Sequence, residues 1–162
     1  MSSISDDANV SIILADYAAE DAAKKINMLG GGWTVTAVQP NGLTPAQAVV
    51  ALIQVPGKYR GQQMAVALTL VNEAGDPVTF PSPAGQATPL RIQQLVLINP
   101  PIVPGIMLPD HMPCSVQIVI SLDNGLPLPP NQVYTWRFEI DGNEVGHQSF
   151  YCAGPNPGPV LG

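Results

Sequence analysis

The chain is 162 residues long, with 46% apolar and only 11% charged residues and a formal net charge of -6. That length suits one ordinary domain with its own core, and the composition excludes a disordered chain. Six basic residues against twelve acidic ones, with no cluster longer than Lys24-Lys25, exclude nucleic-acid binding through phosphate neutralisation and argue against an anionic membrane surface.

The 18 prolines and 15 glycines fall between apolar segments, as turn punctuation in an all-β fold does. The N-terminus M-S-S-I-S-D-D is acidic where a secretory signal needs a basic start, and no apolar run approaches a membrane span. A product made in the cytoplasm without a signal peptide is expected. So sparsely charged a surface suits a subunit that covers itself against neighbours. The domain is expected to span residues 1–162, with an N-terminal arm over 1–8 and a Pro/Gly-rich C-terminal arm over 154–162.

Taken in order, Asn9 to Tyr17 reads as a first strand with Val10, Ile12 and Leu14 on one face. Ala18 to Lys25 has helix-forming residues but is too short to be a stable helix, so a loop is expected. Ile26 to Val38 resumes with Trp33, Val35 and Ala37 on one face, and Gly30, Gly31 and Gly32 mark a bulge. Ala48 to Val55 is apolar on both faces. Gly57 to Gly61 is a polar link containing Lys58 and Arg60. Gln62 to Val71 alternates through Met64, Val66, Leu68 and Leu70, and a turn at 72–76 leads into a short return strand over 77–80. A proline-rich loop then runs to Pro89. Leu90 to Ile98 sets Ile92, Val96 and Ile98 against Arg91 and Gln93.

Asn99 to Pro113 carries five prolines, yet Ile102, Val103, Ile106, Met107 and Leu108 are too apolar for a solvated linker. It must lie on the core or dock against another chain. Cys114 to Leu122 is a strand with Val116, Ile118 and Ile120 inward. Gln132 to Tyr151 gives the clearest pattern: Tyr134, Trp136, Phe138 and Ile140 alternate with polar residues, Asp141-Gly142-Asn143 turns the chain, and a return strand follows. The sum is about eight or nine strands in an antiparallel β-sandwich, immunoglobulin-like or similar. Cys114, Trp136 and Cys152 follow the immunoglobulin order in name only, because the Trp lies too near the second Cys.

A-D-Y-A (Ala15 to Ala18), K-I-N-M-L-G-G-G-W (Lys25 to Trp33), L-T-L-V-N-E-A-G-D-P-V and L-P-L-P-P-N-Q-V-Y-T-W-R-F-E-I-D-G together span most of the chain. They resemble a family of small uncharacterised actinobacterial and actinophage proteins. The resemblance implies a β-sandwich and a virion component, and it carries over no activity and no site residues.

Chemistry-bearing residues are few. His111, Cys114, His147 and Cys152 supply a tetrahedral zinc ligand set, but at a spacing that fits no established finger. The two thiols could pair if their strands were neighbours, and buried free thiols are the default. Cysteine–histidine catalysis would need one of those histidines beside a thiol, and no oxyanion-hole signal accompanies either. The acidic pairs Asp6-Asp7, Glu20-Asp21, Glu73/Asp76 and Asp141/Glu144 lie in tails and turns, and the triple glycine precedes a strand instead of a phosphate-binding helix. Neither a catalytic residue nor a cofactor is expected.

The candidate contacts are the loop residues Ile102, Val103, Ile106, Met107 and Leu108 and the tail residues Pro155, Pro157, Val160 and Leu161. The leading expectation is a non-enzymatic structural or interaction protein of a phage virion, a capsid decoration or minor subunit. Its partners would be itself or a viral shell protein, as a homo-oligomer or within a larger assembly. The alternative is a ligand-binding module, for example for carbohydrate, using Trp33, Tyr59 or Tyr151 as a stacking platform. A small cysteine/histidine hydrolase ranks third.

Overall fold

The computed structural model describes residues 2–155. Two antiparallel layers face each other. One contains β1 (Asn9–Ala15), β5 (Gln47–Val55) and β10 (Cys114–Leu122) in the order β1-β5-β10. The other runs β4 (Val35–Ala37), β12 (Asn143–Ala153), β11 (Gln132–Ile140), β6 (Gln63–Val71) and β9 (Arg91–Leu97), with β4 parallel to β12. This is the A-B-E against G-F-C-C′ arrangement of an immunoglobulin-like sandwich.

Twelve strands are present among the described residues, more than the eight or nine expected. The additions are β2 and β8, over stretches expected as loops, and the division of the strand expected over 26–38 into β3 and β4; β2 and β8 each complete a two-stranded ribbon. β2 (Tyr17–Glu20) and β3 (Ile26–Leu29) pair across a turn in which the Asp21 carboxylate accepts from the Ala23 and Lys25 N–H groups. β7 (Thr79–Pro81) and β8 (Ala87–Pro89) pair over the proline-rich stretch, so the strand after the 72–76 turn finds its main partner downstream and meets β6 only at Val71 and Pro77. Gly30 and Gly32 have positive φ and form the turn between β3 and β4, where a bulge was expected.

The β2-β3 ribbon explains why β5 is apolar on both faces. Val49, Ala51, Ile53 and Val55 enter the core between the sheets, while Ala48 and Val50 pack with Ala18 of the ribbon on the opposite side. A helix propensity summed over A-A-E-D-A-A is small beside the burial of an apolar sheet face.

The β11-β12 hairpin supplies the large core residues. Tyr134, Trp136, Phe138 and Ile140 are buried in alternation, and Asp141 and Gly142, both at positive φ, make the two-residue turn. The Tyr134 hydroxyl donates to the Pro129 carbonyl at 2.6 Å, which is the tyrosine corner of immunoglobulin-type sandwiches at the start of their F strand. Two residues further, where antibody domains place the second cysteine of their inter-sheet bridge, stands Trp136. Cys114 and Cys152 lie in different sheets, buried and unpaired. An indole occupies the place of the bridge.

Residues 1–8 were expected as an arm. Ile4–Asp7 instead form one helical turn, α1, with Ser3 and Asp6 in a reciprocal capping box and Ile4 buried in the core. Of the expected C-terminal arm, Gly154 and Pro155 are described, and Pro157, Val160 and Leu161 lie outside the described residues.

Replacing Trp136 by Ala is expected to cost about 3–5 kcal/mol, as for other buried large-to-small changes. Tyr134→Phe, which removes only the bond to Pro129, should cost about 1 kcal/mol. Urea denaturation monitored by circular dichroism checks both, and equal losses would show that the corner hydroxyl matters as much as the indole.

Candidate functional site

The segment Asn99–Pro113 joins β9 to β10 and forms neither strand nor helix. Its last part is clamped to the single 3-10 turn Gly57–Tyr59. The backbone carbonyls of Asp110 and Met112 approach Gly57 so closely that a Cβ there would sit 2.3 and 2.7 Å from them. Arg60 donates from Nη2 to the Pro109 carbonyl at 3.1 Å and from Nη1 to Asp110 at 3.2 Å. The Asp110 side chain is fully exposed, so solvent screens that ion pair and it adds little. The close approach at Gly57 is the stronger constraint.

Beyond the clamp the segment projects apolar side chains into solvent. Ile102 and Met107 are each 96% exposed and Ile106 60%, with Val103 also exposed and Leu108 half-buried. The core-lying option for these residues is therefore overturned: the prolines that keep the segment out of the sheet also keep its apolar side chains off the core. The strip begins upstream, since Leu95 and Leu97 on edge strand β9 are 70% and 50% exposed. The sequence signal for these two leucines was their parity, shared with Arg91 and Gln93 on the outward face.

The same outward face carries a band of charge where the strands cross. Arg91 pairs with Glu139, and Glu144 faces Arg137 at 3.6 Å and His147 at 3.3 Å. Ala65, Ala67 and Gly142 leave a shallow depression of about 410 Å³ beside Arg91, Gln93 and Leu95. Each cation here has an anionic partner, which leaves no unpaired charge pointing at a ligand.

The remaining sequence candidates are dispersed. His111 is exposed ahead of β10 and His147 is exposed on the outer face of β12, whereas Cys114 and Cys152 are buried. Burial pushes the Cys152 thiol up, opposite to what a nucleophile needs. Among the described residues no three His, Cys, Asp or Glu side chains converge as a cation site. Trp33 is half-buried and edge-on to Phe150, Tyr59 is buried, and Tyr151 is exposed, so the three aromatics form no common platform. No helix among the described residues is long and apolar enough to cross a membrane.

Tyr59 has a different task. Its hydroxyl lies 2.7 Å from the Asp7 carboxylate and within 3.1 Å of the Ser2 and Ser3 carbonyls, and Lys58 pairs with the same carboxylate. Hydrogen bonds from Lys58, then Tyr59 and Ser2, bring the Asp7 carboxyl down to about 2. The turn Gly57–Tyr59 with Arg60 thus holds the N-terminus on one side and the loop on the other.

Residues 10–153 match the model of a family of unknown function (DUF6941). Among solved structures the chain is similar to an immunoglobulin-like protein from Pseudomonas aeruginosa, with 13% identity and a TM-score of 0.42 over 90% of this chain and 98% of that one. No curated protein matches it.

Two outcomes follow from the clamp. Gly57→Ala should push the Asp110 and Met112 carbonyls away and speed proteolytic cleavage within residues 99–113, whereas Gly105→Ala should leave the clamp intact; equal cleavage in Gly57→Ala and wild type would refute the close approach. The Asp7 carboxyl lies lower in the folded chain than its ordinary 3.8, so its contribution is complete above that value and is lost as pH falls towards and through about 2. Amide protection factors at Ile4 to Ala8 should fall over that window, and Asp7→Asn should shrink that fall, the remainder belonging to Asp6, whose carboxyl the Ser3 hydrogen bonds also lower.

Proposed function

The chain belongs to this family of unknown function, and we propose that it is a non-enzymatic structural and interaction protein acting through subunit contacts. The observation that carries this reading is the apolar loop: Ile102 and Met107 stand almost fully in solvent on a segment fixed at its far end by Gly57 and Arg60. Leaving such side chains in water forgoes about 1.5–3 kcal/mol of burial for each. Large apolar side chains concentrated in solvent on one segment support an interaction site. The fixed end keeps its ordering cost on docking low.

The finer part of the proposal is an actinophage virion, in which the chain is a capsid decoration or minor structural subunit. The resemblance of the A-D-Y-A and K-I-N-M-L-G-G-G-W stretches to actinobacterial and phage proteins supports it, as does the scarcity of charge.

The test uses particles purified from an infected actinobacterial culture that expresses the tagged full chain. Wild type should band with the particles, and the triple variant Ile102→Asp/Ile106→Asp/Met107→Asp should lose occupancy by about tenfold or more at an unchanged melting temperature. Absence of the wild-type chain from the particles would sink the virion reading. Full occupancy by the triple variant would sink the loop as the contact.

A further inference from the structure

β9 ends the five-stranded sheet with one side of its backbone unpaired. Its ladder to β6 uses the even positions: the Leu90 carbonyl accepts from the Leu70 N–H at 3.1 Å, and the Ile98 N–H donates to the Gln62 carbonyl at 2.9 Å. Backbone groups alternate sides along a strand, so Arg91, Gln93, Leu95 and Leu97 turn their N–H and C=O groups to the free edge. An edge left in this state is a template for another strand.

The devices that normally protect such an edge are missing from β9. Its seven residues, R-I-Q-Q-L-V-L, contain no proline and no lysine, and its pairing with β6 runs without a bulge. Its one charged side chain, Arg91, is held by Glu139. By contrast, β4 at the opposite edge of the same sheet is only three residues long. Outward leucines on β9 add an apolar face to the open backbone.

We propose that β9 pairs antiparallel with β9 of a second copy of this chain, continuing the sheet across a two-fold axis at Leu95. The proposal rests on the reading of the chain as an interaction protein and names its first partner. Hydrogen-bond parity permits the match, because the odd residues of each strand face outward and an axis at Leu95 sets odd against odd. In that register Leu95 faces its own counterpart, and the two Leu97 side chains lie diagonally beside them, within contact range. One apolar cluster forms from both copies. An axis at Gln94 would instead set Leu97 opposite Arg91 and Leu95 opposite Gln93. Charge does not oppose the pairing, since the strand has no acid and its sole cation is neutralised in place. The same strand serves both sides, as an isologous interface requires.

Sedimentation velocity of the full-length chain tests the pairing. The wild type should show concentration-dependent dimerisation. Leu95→Lys would place two ammonium groups face to face at the axis and should raise the dimer dissociation constant by about a hundredfold or more. Gln93→Pro removes an outward N–H and leaves the ladder to β6 unbroken, so it should weaken the dimer with little change in far-UV circular dichroism. Leu95→Cys should oxidise to an inter-chain disulfide, because directly opposed residues lie about 5.5 Å apart at Cα. Arg91→Cys should cross-link far more slowly. A wild type that stays monomeric at every concentration overturns the proposal, as does a dimer indifferent to both Leu95→Lys and Gln93→Pro, or cross-linking at position 91 as fast as at 95. The loop variant Ile102→Asp/Ile106→Asp/Met107→Asp separates the two readings: a dimer lost in it and kept in Leu95→Lys overturns edge pairing while the loop contact stands.

Discussion

The buried row Tyr134, Trp136, Phe138 and Ile140 sets the distance at which the two sheets can pack. Sandwich layers lie about 10 Å apart, and side chains from both inner faces must fill that gap without voids. Here β11 contributes three aromatic rings to it, with Phe150 stacked on Tyr134 at 5.8 Å and Trp33 meeting Phe150 edge-on. Antibody domains fix the same spacing with a covalent bridge beside a tryptophan. This chain fixes it by packing alone, so its cohesion does not depend on an oxidising compartment. The tyrosine corner then determines how the chain enters β11, because the Tyr134 hydroxyl ties back to Pro129.

How far the fold was legible depended on whether a strand had one wet face. β6, β10 and β11 alternate cleanly, and their inward residues were readable from parity. β5 was readable as buried on both faces, but the layer covering its second face was not, because Ala18 and its neighbours look like helix formers or loop. Only the exposed apolar face of β5 could have indicated that a ribbon lay there. A short strand was legible after the 72–76 turn, but its partner β8 was hidden for a related reason: the prolines of that stretch argue against a strand, yet Pro81 and Pro89 lie in a two-stranded ribbon where a missing donor costs little.

The site was legible in part. The apolar character of residues 102–108 against their prolines left two places for them, on the core or against another chain, and the alternation of Leu90 to Ile98 set Arg91 and Gln93 outward, a parity that Leu95 and Leu97 share. Edge position could not be read, because a one-dimensional pattern does not say which strand is last in a sheet. The role of Gly57 was equally hidden. Its need for a missing Cβ arises from the carbonyls of Asp110 and Met112, which are far away in sequence. The two histidines and two cysteines misled in the opposite way, since residue types suited to metal or nucleophile chemistry were distributed by the topology over separate sheets and faces.

Scarcity of charge connects these features. A sandwich normally guards its edges with lysines and its loops with charged residues. This chain has six basic residues, and their placement is informative. Arg91 and Arg137 neutralise acids on the outer face, Lys58 and Arg60 fix the N-terminus and the loop, and Lys24 is paired with Glu20 inside the β2-β3 turn. Cations thus reinforce the molecule's own segments: Arg91, the one cation of β9, is held by Glu139, and residues 92–107 carry none. The clamp at Gly57 and Arg60 holds the far end of the loop, at residues 109–112, and edge and loop follow one another directly in the chain. Open backbone on β9 and apolar side chains on residues 102–107 offer a partner both hydrogen bonds and hydrophobic burial.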